Sequence, residues 1–504
     1  MQGAGGKVQG AGCRVQGTGC RVPGAACSVL WAVLLAGCGG ASGGARGNTV
    51  LFASGADLQS INPLFTVHPL ARQVQRYVLL TTLVQYDSAL TLRPYLARTW
   101  EWSEDRRQLT LHLSTDVRWD DGMPTTARDA AWTLEAARDP VVGYPRLADL
   151  AALSAVATPD DSTLRLSFTG PQVYLPDVFT DLAILPAHLL DTIPRSRLRS
   201  AQWNASPVGN GPFRFVAHEP NRRWVFAANP GFPLQLGGPP RVARLVIAVV
   251  DEPTTKLAAL SSGELDFAGI QPAHAEFVRR DPKLTVLSYP LLFTYGVVMN
   301  TRIPPFDDVR VRRALSFALD RRQIIQGYLY GFATLAAGPV VPGLPGAVVL
   351  PPPAESVDSA RALLHGRQVR FELLTVGSGE AALEQMIQAQ LARAGFVVTI
   401  RQYELSAYLD RVNRRTHDFQ AAVMGTQGDL ASGQMATLAG ITGATVPSDV
   451  AAAQRVFADS VPVAFLYHAR GVQGVNRRVR NVRMGIRGEL ATVTEWETRA
   501  NDER

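Results

Sequence analysis

The sequence predicts an α/β protein, and three observations carry that expectation. Residues 369–424 alternate strand-like and helix-like patterns. Leu109, Leu111 and Leu113 alternate with Thr110, His112 and Ser114, the period of a half-buried strand. The chain has 504 residues, 46% hydrophobic and 18% charged, a globular composition long enough for two or more lobes with their own cores.

The first 48 residues read as export machinery. An uncharged apolar run, 29–36, ends in Leu35-Ala36-Gly37-Cys38 and is followed by Gly39-Gly40-Ala41-Ser42-Gly43-Gly44. The run is shorter than the roughly 20 apolar residues that span a bilayer and has the form of a cleaved signal. The Gly/Ser stretch reads as a flexible tether. Together they resemble a bacterial lipoprotein box, which implies that Cys38 is lipidated and becomes the first residue of the mature protein. Upstream, a heptapeptide repeat ends successively in Cys13, Cys20 and Cys27. A Gly-rich repeat has no core to hold metal ligands, and the expectation is that Met1 precedes the true start. All four cysteines lie in the first 38 residues, so the body has neither a disulfide nor a thiolate metal site.

Charge excludes little but points away from nucleic acid. The net charge is +7; Lys7, Arg14 and Arg21 belong to a leader without acids, leaving +4 from Cys38 onward. The one basic cluster, Arg477 to Arg483, lacks interleaved aromatics and reads as solvated surface. No segment after the leader reaches 18 uncharged apolar residues, so no second membrane span is expected.

Within the body, Val50-Leu51-Phe52-Ala53 reads as a strand, followed by a loop from Asp57 to Phe65. Trp119 to Pro124 reads as a turn in which Asp120 and Asp121 do turn and capping chemistry. Thr126 and Asp129 have capping-box spacing, and Ala127, Ala130, Ala131 and Leu134 recur at helical period. Val311, Ala314, Leu315, Ala318 and Leu319 form another apolar stripe, with Arg310, Arg312, Arg313 and Asp320 off it on a face expected to be solvated or locally ion-paired. The Pro/Gly-rich residues 339–353 read as a loop. Then come a strand at 369–376, a helix at 380–394 ended by Gly395, a strand at 396–403, a helix at 406–414 and a strand at 418–424. Such alternation implies a parallel sheet. Between Asp429 and the strand at 461–467 one helix, 449–459, is expected.

Several stretches resemble the bacterial extracellular solute-binding proteins of family 5, the peptide/nickel class. They are Pro94 to Trp100, Leu113 to Asp129, Ile184 to Leu190, Ser206-Pro-Val-Gly-Asn-Gly-Pro-Phe213 with Asn210 in place of the usual Thr, Asn229 to Phe232, Lys256 to Asp266, and Pro304 to Asp320. The resemblance implies a two-lobed, type II periplasmic-binding-protein-like fold with an extra subdomain on the first lobe. It divides the chain into a leader (1–37), a tether (38–48), lobe I (49–58, 185–268 and 472–504), its subdomain (59–184) and lobe II (269–471).

Ligands of open α/β sheets sit at the carboxyl ends of the strands. The strand at 418–424 runs into Gly425-Thr426-Gln427-Gly428-Asp429-Leu430. Glycines there let backbone approach a solute, and Asp429 supplies a charge. Asp429 matches the aspartate that pairs with a peptide's α-ammonium in peptide-binding members. Gly425, Gln427, Gly428 and Asp429 are therefore the expected ligand-binding residues. The family's tryptophan is here Thr426, and some tens of residues after Asp429 are missing relative to the family.

The implied function is the solute-binding part of an ATP-driven importer. It binds a peptide or peptide-like solute between the lobes and works with an ABC permease and its ATPase. The expected form is a monomer, held outside the cytoplasmic membrane by lipid, with no cofactor, no metal and no nucleic-acid partner. An enzyme is not expected: the one Gly-x-Ser-x-Gly, 40–44, lies in the tether and lacks a nucleophile elbow's strand–turn–helix setting, and His-Glu-x-x-His is absent. Two alternatives stay open. One is a degenerate or sensory receptor; the other is a metal-chelate receptor, for which His417 and His468 are the nearest candidates.

Overall fold

In the computed structural model one eleven-stranded sheet organises the chain. The structure describes residues 47–499 apart from 67, 345, 378, 414–417, 428–430 and 448. In chain order the strands are β1 (Thr49–Ser54), β2 (Phe213–Glu219), β3 (Arg223–Ala228), β4 (Arg244–Val249), β5 (Phe267–Gly269), β6 (Leu284–Met299), β7 (Ala333–Leu335), β8 (Val369–Val376), β9 (Phe396–Tyr403), β10 (Ala421–Gln427) and β11 (Val463–Asn476). They lie in the order β9-β8-β10-β6-β11-β5-β1-β4-β3-β2, with β7 also on β11.

β6 and β11 are the long strands, 16 and 14 residues, and they are antiparallel. Their pairing runs from Leu284↔Asn476 to Pro290↔Arg470, breaks, and resumes at Thr294↔His468. Pro290 has no N–H to give a ladder, and it stands at the break. On one side of the break Leu284, Val472 and Val475 pack with β1, β4 and β5. On the other, Val297, Met299, Ala464 and Leu466 pack with β8, β9 and β10. The chain is thus two-lobed, and these two strands pass through both cores. Ile270, Ala275, Val278 and Leu284 share a cluster with Leu260 and Ala268, so residues 270–284 pack in the first lobe, although the sequence reading put everything from 269 into the second.

The subdomain shares the first lobe's core. A four-stranded antiparallel sheet is formed by Ala97–Trp102, Gln108–Leu113, Thr163–Phe168 and Leu153–Asp160 in that spatial order. Leu109, Leu111 and Leu113 are buried and His112 is exposed, as period two requires. Helix α1 (Pro69–Val74) continues into one π-helical turn, Gln75–Leu79. The Ser206–Phe213 stretch clasps this turn: Asn210 and Gly211 donate N–H to the Leu79 carbonyl at 3.1 and 2.9 Å, and the Asn210 carboxamide accepts Thr81 N–H at 2.9 Å. A Cβ at Gly209 would stand 2.3 Å from the Leu79 oxygen, so only glycine fits. Helix α2 (Ala127–Arg138) begins as expected: the Asp129 carboxylate accepts N–H from Thr126 and from Ala187, each at 2.8 Å. Asp120 accepts the Gly209 N–H and pairs with Arg214, while Asp121 pairs with His188. Burial pushes the Asp120 carboxyl up to about 6.

In the second lobe β8, β9 and β10 are parallel, joined by helices α4 (Ala382–Ala392) and α5 (Leu405–Asn413) that follow α3 (Val309–Phe317). The apolar stripe of α3 is buried as expected, but Arg312 is not solvated. It is 7% exposed, and it donates to the carbonyls of Phe306, Asp307 and Ser460; loop carbonyls left without a ladder take its guanidinium. A second departure is α6 (Ala431–Thr442), a helix where the sequence reading had only a Gly/Ala/Thr-rich stretch. Met435, Leu438 and Ile441 bury one side of it, so packing overrides the two glycines. Helix α7 (Val450–Ser460) follows where a helix over 449–459 was expected, and Asp449 caps it.

Candidate functional site

Strand direction locates the site. β10 is antiparallel to β6 and ends at Gln427, opposite Phe293, just past the break in the long strands. β8 and β9 run parallel to β10 and end on the same side. In the first lobe β5 is antiparallel to β11 and runs toward the break, and β1 and β4 are parallel to β5. The carboxyl ends of these six strands therefore face the crossing from both lobes, where open α/β sheets bind ligands.

The second-lobe side of the crossing is aromatic. Gly425 pairs with Tyr295, and a Cβ at Gly425 would lie 2.3 Å from the Phe293 ring and 2.9 Å from that of Tyr295. These rings fill the space that a side chain at this position would take. Tyr295 pairs with Tyr467 while Gly296 pairs with Phe465, so Leu466 is an extra residue in β11. Such a bulge re-aims the next side chain: Tyr467 joins Leu466 on one face and stacks on Tyr295 with ring centroids 4.9 Å apart. Burial raises the pKa of both phenols, so they are neutral near pH 7.

The opposite face is a buried hydrogen-bond chain. Thr294 Oγ1 donates to the Pro339 carbonyl and lies 2.9 Å from His468 Nδ1. Thr426 Oγ1 donates to the Thr294 carbonyl and accepts from the Gln434 carboxamide, which fastens α6 to the end of β10. Burial pushes the His468 imidazole down to about 4, so the ring is neutral.

On the first-lobe side, the loop after β1 is set by Asp57, which accepts from Trp224 Nε1 at 2.7 Å, from Asn221 N–H at 2.7 Å and from His218 at 3.2 Å. Burial pushes this carboxyl up, but the three hydrogen bonds outweigh it and hold it below the usual range. Nearer the crossing, the Tyr289 hydroxyl donates to Glu489, which also takes the Gln73 carboxamide.

Of the residues expected from sequence, Gly425 and Gln427 end β10 at the crossing. Gly428, Asp429, His417 and Cys38 lie outside the described residues. Among the described residues no group of three or more His, Cys, Asp or Glu side chains is placed to hold a metal, and no helix is long and apolar enough to cross a membrane. A cavity of about 270 Å³, lined by Arg312, Thr301 and Ser460 among others, lies at the far end of β6 from the crossing. Sequence reasoning missed Tyr295 and Tyr467 because it sought charge in loops after strands. The available signal was tyrosine at the ends of aliphatic runs, Tyr295-Gly-Val-Val-Met299 and Val463-Ala-Phe-Leu-Tyr467.

Comparisons place this architecture. A putative ABC transporter peptide-binding protein of Brucella ovis is 33% identical over 257 residues, 51% of this chain and 48% of the relative. The chain thus spans about half the length of that relative and of the other Brucella proteins it matches. The dipeptide-binding protein of Escherichia coli is 25% identical over 421 residues, 76% of this chain and 77% of the relative. The oligopeptide-binding protein AppA of Bacillus subtilis, solved with a nonapeptide, superposes with a TM-score of 0.73 over 90% of this chain and 99% of its own, at 19% identity, which speaks to fold alone. The profile of the bacterial extracellular solute-binding proteins, family 5 Middle, matches residues 91–445. This chain belongs to the bacterial extracellular solute-binding proteins of family 5.

Proposed function

We propose that this chain is the extracytoplasmic receptor of an ATP-driven importer, binding a peptide or peptide-like solute between its lobes and presenting it to an ABC permease. The observation that carries the reading is the convergence of six strand ends on a crossing that links the lobes. The names of the relatives, peptide-binding and dipeptide-binding, support the solute class. Gly425, Gln427, Gly428 and Asp429 are the ligand-binding residues of this reading, with Asp429 pairing a free α-ammonium group by a charge-assisted hydrogen bond. The lobe boundary lies at the pairing break, 291–293 and 469, in place of 269. Cys38 carries a lipid that keeps a monomer near its permease and ATPase; the protein uses no cofactor and no metal, catalyses no reaction and binds no nucleic acid.

Calorimetric titration of the purified protein with free and N-acetylated tripeptides tests this reading. Saturable binding is expected, and Asp429→Asn should weaken the free-amine peptides about tenfold or more with little effect on the acetylated ones. Binding of no peptide refutes the receptor role; equal loss for both peptide forms refutes the role of Asp429.

A further inference from the structure

The cavity at the far end of β6 is lined by two opposite charges that have no ion-pair partner among the described residues. Its volume is about 270 Å³, above the roughly 150 Å³ that admits a benzene ring. Arg312 lines it and is 7% exposed, so its guanidinium lies at the inner end. Nε and Nη1 donate to the carbonyls of Ser460, Phe306 and Asp307, which leaves Nη2 with no hydrogen-bond partner among the described residues. Asp308 is taken by Arg310 at 2.9 Å, and among the described residues no carboxylate pairs with Arg312. A buried guanidinium held by neutral carbonyls keeps its charge and lacks a counter-ion.

Asp307 lines the same cavity from an exposed position, at its mouth. One of its carboxylate oxygens accepts the Asp308 N–H at 3.0 Å, and among the described residues no cation pairs with it. Thr301 Oγ1 donates to the Thr442 carbonyl and Ser460 Oγ to the Val456 carbonyl. Each hydroxyl has then spent its proton and offers lone pairs only. The wall is held in a costly shape. Val461, between Ser460 and Pro462 of the lining, stands at φ 47° and ψ 55°, a region that a β-branched residue before proline rarely enters. The 2.9 Å bond from Arg312 Nε to the Ser460 carbonyl pins the residue beside it. A positive donor inside and negative acceptors at the mouth are the complement of a short zwitterion, and not of a simple anion or cation.

We infer that this cavity is a second solute site, one that takes a free α-amino acid or a similarly short amino-carboxylate. The carboxylate meets Arg312 Nη2, and the ammonium group meets Asp307 and the hydroxyl oxygens of Thr301 and Ser460. The cavity lies at the opposite end of β6 from the crossing, so it is open to a solute whether or not a peptide is bound there.

The test is calorimetric titration of the full chain with alanine, acetate and methylammonium. Alanine should bind with a dissociation constant of about 1 mM or tighter, and acetate and methylammonium each at least about tenfold more weakly. Asp307→Asn, a change at an exposed residue, should cost alanine about tenfold and erase its lead over acetate. Val456→Phe, which adds a ring to the cavity lining from α7, should abolish alanine binding while Arg312 keeps its carbonyls. Three results overturn the site: a parent that binds no alanine, acetate that binds as tightly as alanine, or an Asp307→Asn variant that binds alanine as the parent does. Alanine binding that survives Val456→Phe puts the amino acid elsewhere, the crossing included, and also overturns it. Should Val456→Phe not fold, Thr445→Trp on the exposed rim of the cavity decides: a loss of about tenfold or more supports the site, and unchanged alanine binding overturns it.

Discussion

Asp181 is enclosed by three guanidinium groups, Arg72 at 2.6 Å, Arg76 at 2.8 Å and Arg146 at 2.9 Å. Burial pushes its carboxyl up, and the three cations outweigh that and hold it far below the usual range. A depressed folded pKa means that the stabilisation is fully present above the unfolded value near 4 and is lost as pH falls through the folded value. Asp181→Asn should therefore cost about 3–5 kcal/mol at pH 7, because it strands buried cations. It should also flatten the acid limb of stability, as urea unfolding between pH 3 and 7 would measure; an unchanged acid limb would sink the assignment. Asp266 holds another such junction, taking both Nε and Nη2 of Arg478 at 2.6 Å and the Leu51 N–H, which ties β1 to the chain after β11.

At the scale of elements, β10 and β6 are fitted to each other by the missing side chain of Gly425. Glycine is required there for close approach, since its φ is ordinary and the rings of Phe293 and Tyr295 occupy the Cβ position. Gly425→Ala should cost about 1–3 kcal/mol by overpacking, and Phe293→Ala in the same chain should restore part of it. A double-mutant cycle by chemical denaturation measures the coupling, and simple additivity would refute the contact. The Leu466 bulge works the same way: one extra residue in β11 places Tyr467 beside Tyr295. Both features were invisible in the chain as written. A lone glycine at a strand end reads equally as a ligand approach or as room for a neighbour's ring. Helix α6 was missed because Gly433 and Gly440 lower its intrinsic propensity, and only burial of Met435, Leu438 and Ile441 holds it.

For the whole molecule, a solute bound between two lobes stabilises the folded form by mass action. A peptide at 100 times its dissociation constant should add about 2.7 kcal/mol and raise the melting temperature. A thermal melt with and without saturating tripeptide checks this, and no shift for a peptide that binds by calorimetry would place its site on something other than the folded protein. Two strands carry the connection between lobes that the solute would bridge, and the break at Pro290 is where their ladder lapses.

The sequence by itself determined the α/β class, the parallel strand–helix–strand unit, the capped helix start at Asp129, the helix at 449–459, the buried stripe of α3 and the family. Each of these is a local pattern or an ordered set of motifs, because period, capping chemistry and glycine placement act over a few residues. The tertiary structure alone decided that residues 270–284 belong to the first lobe, that Arg312 is buried under loop carbonyls, and that Tyr295 stacks on Tyr467. Those outcomes depend on strand register and on contacts between residues far apart in the chain, such as Tyr295 and Tyr467, 172 positions apart. A one-residue bulge changes the face of a side chain without changing any local pattern, and no periodicity in the chain records it.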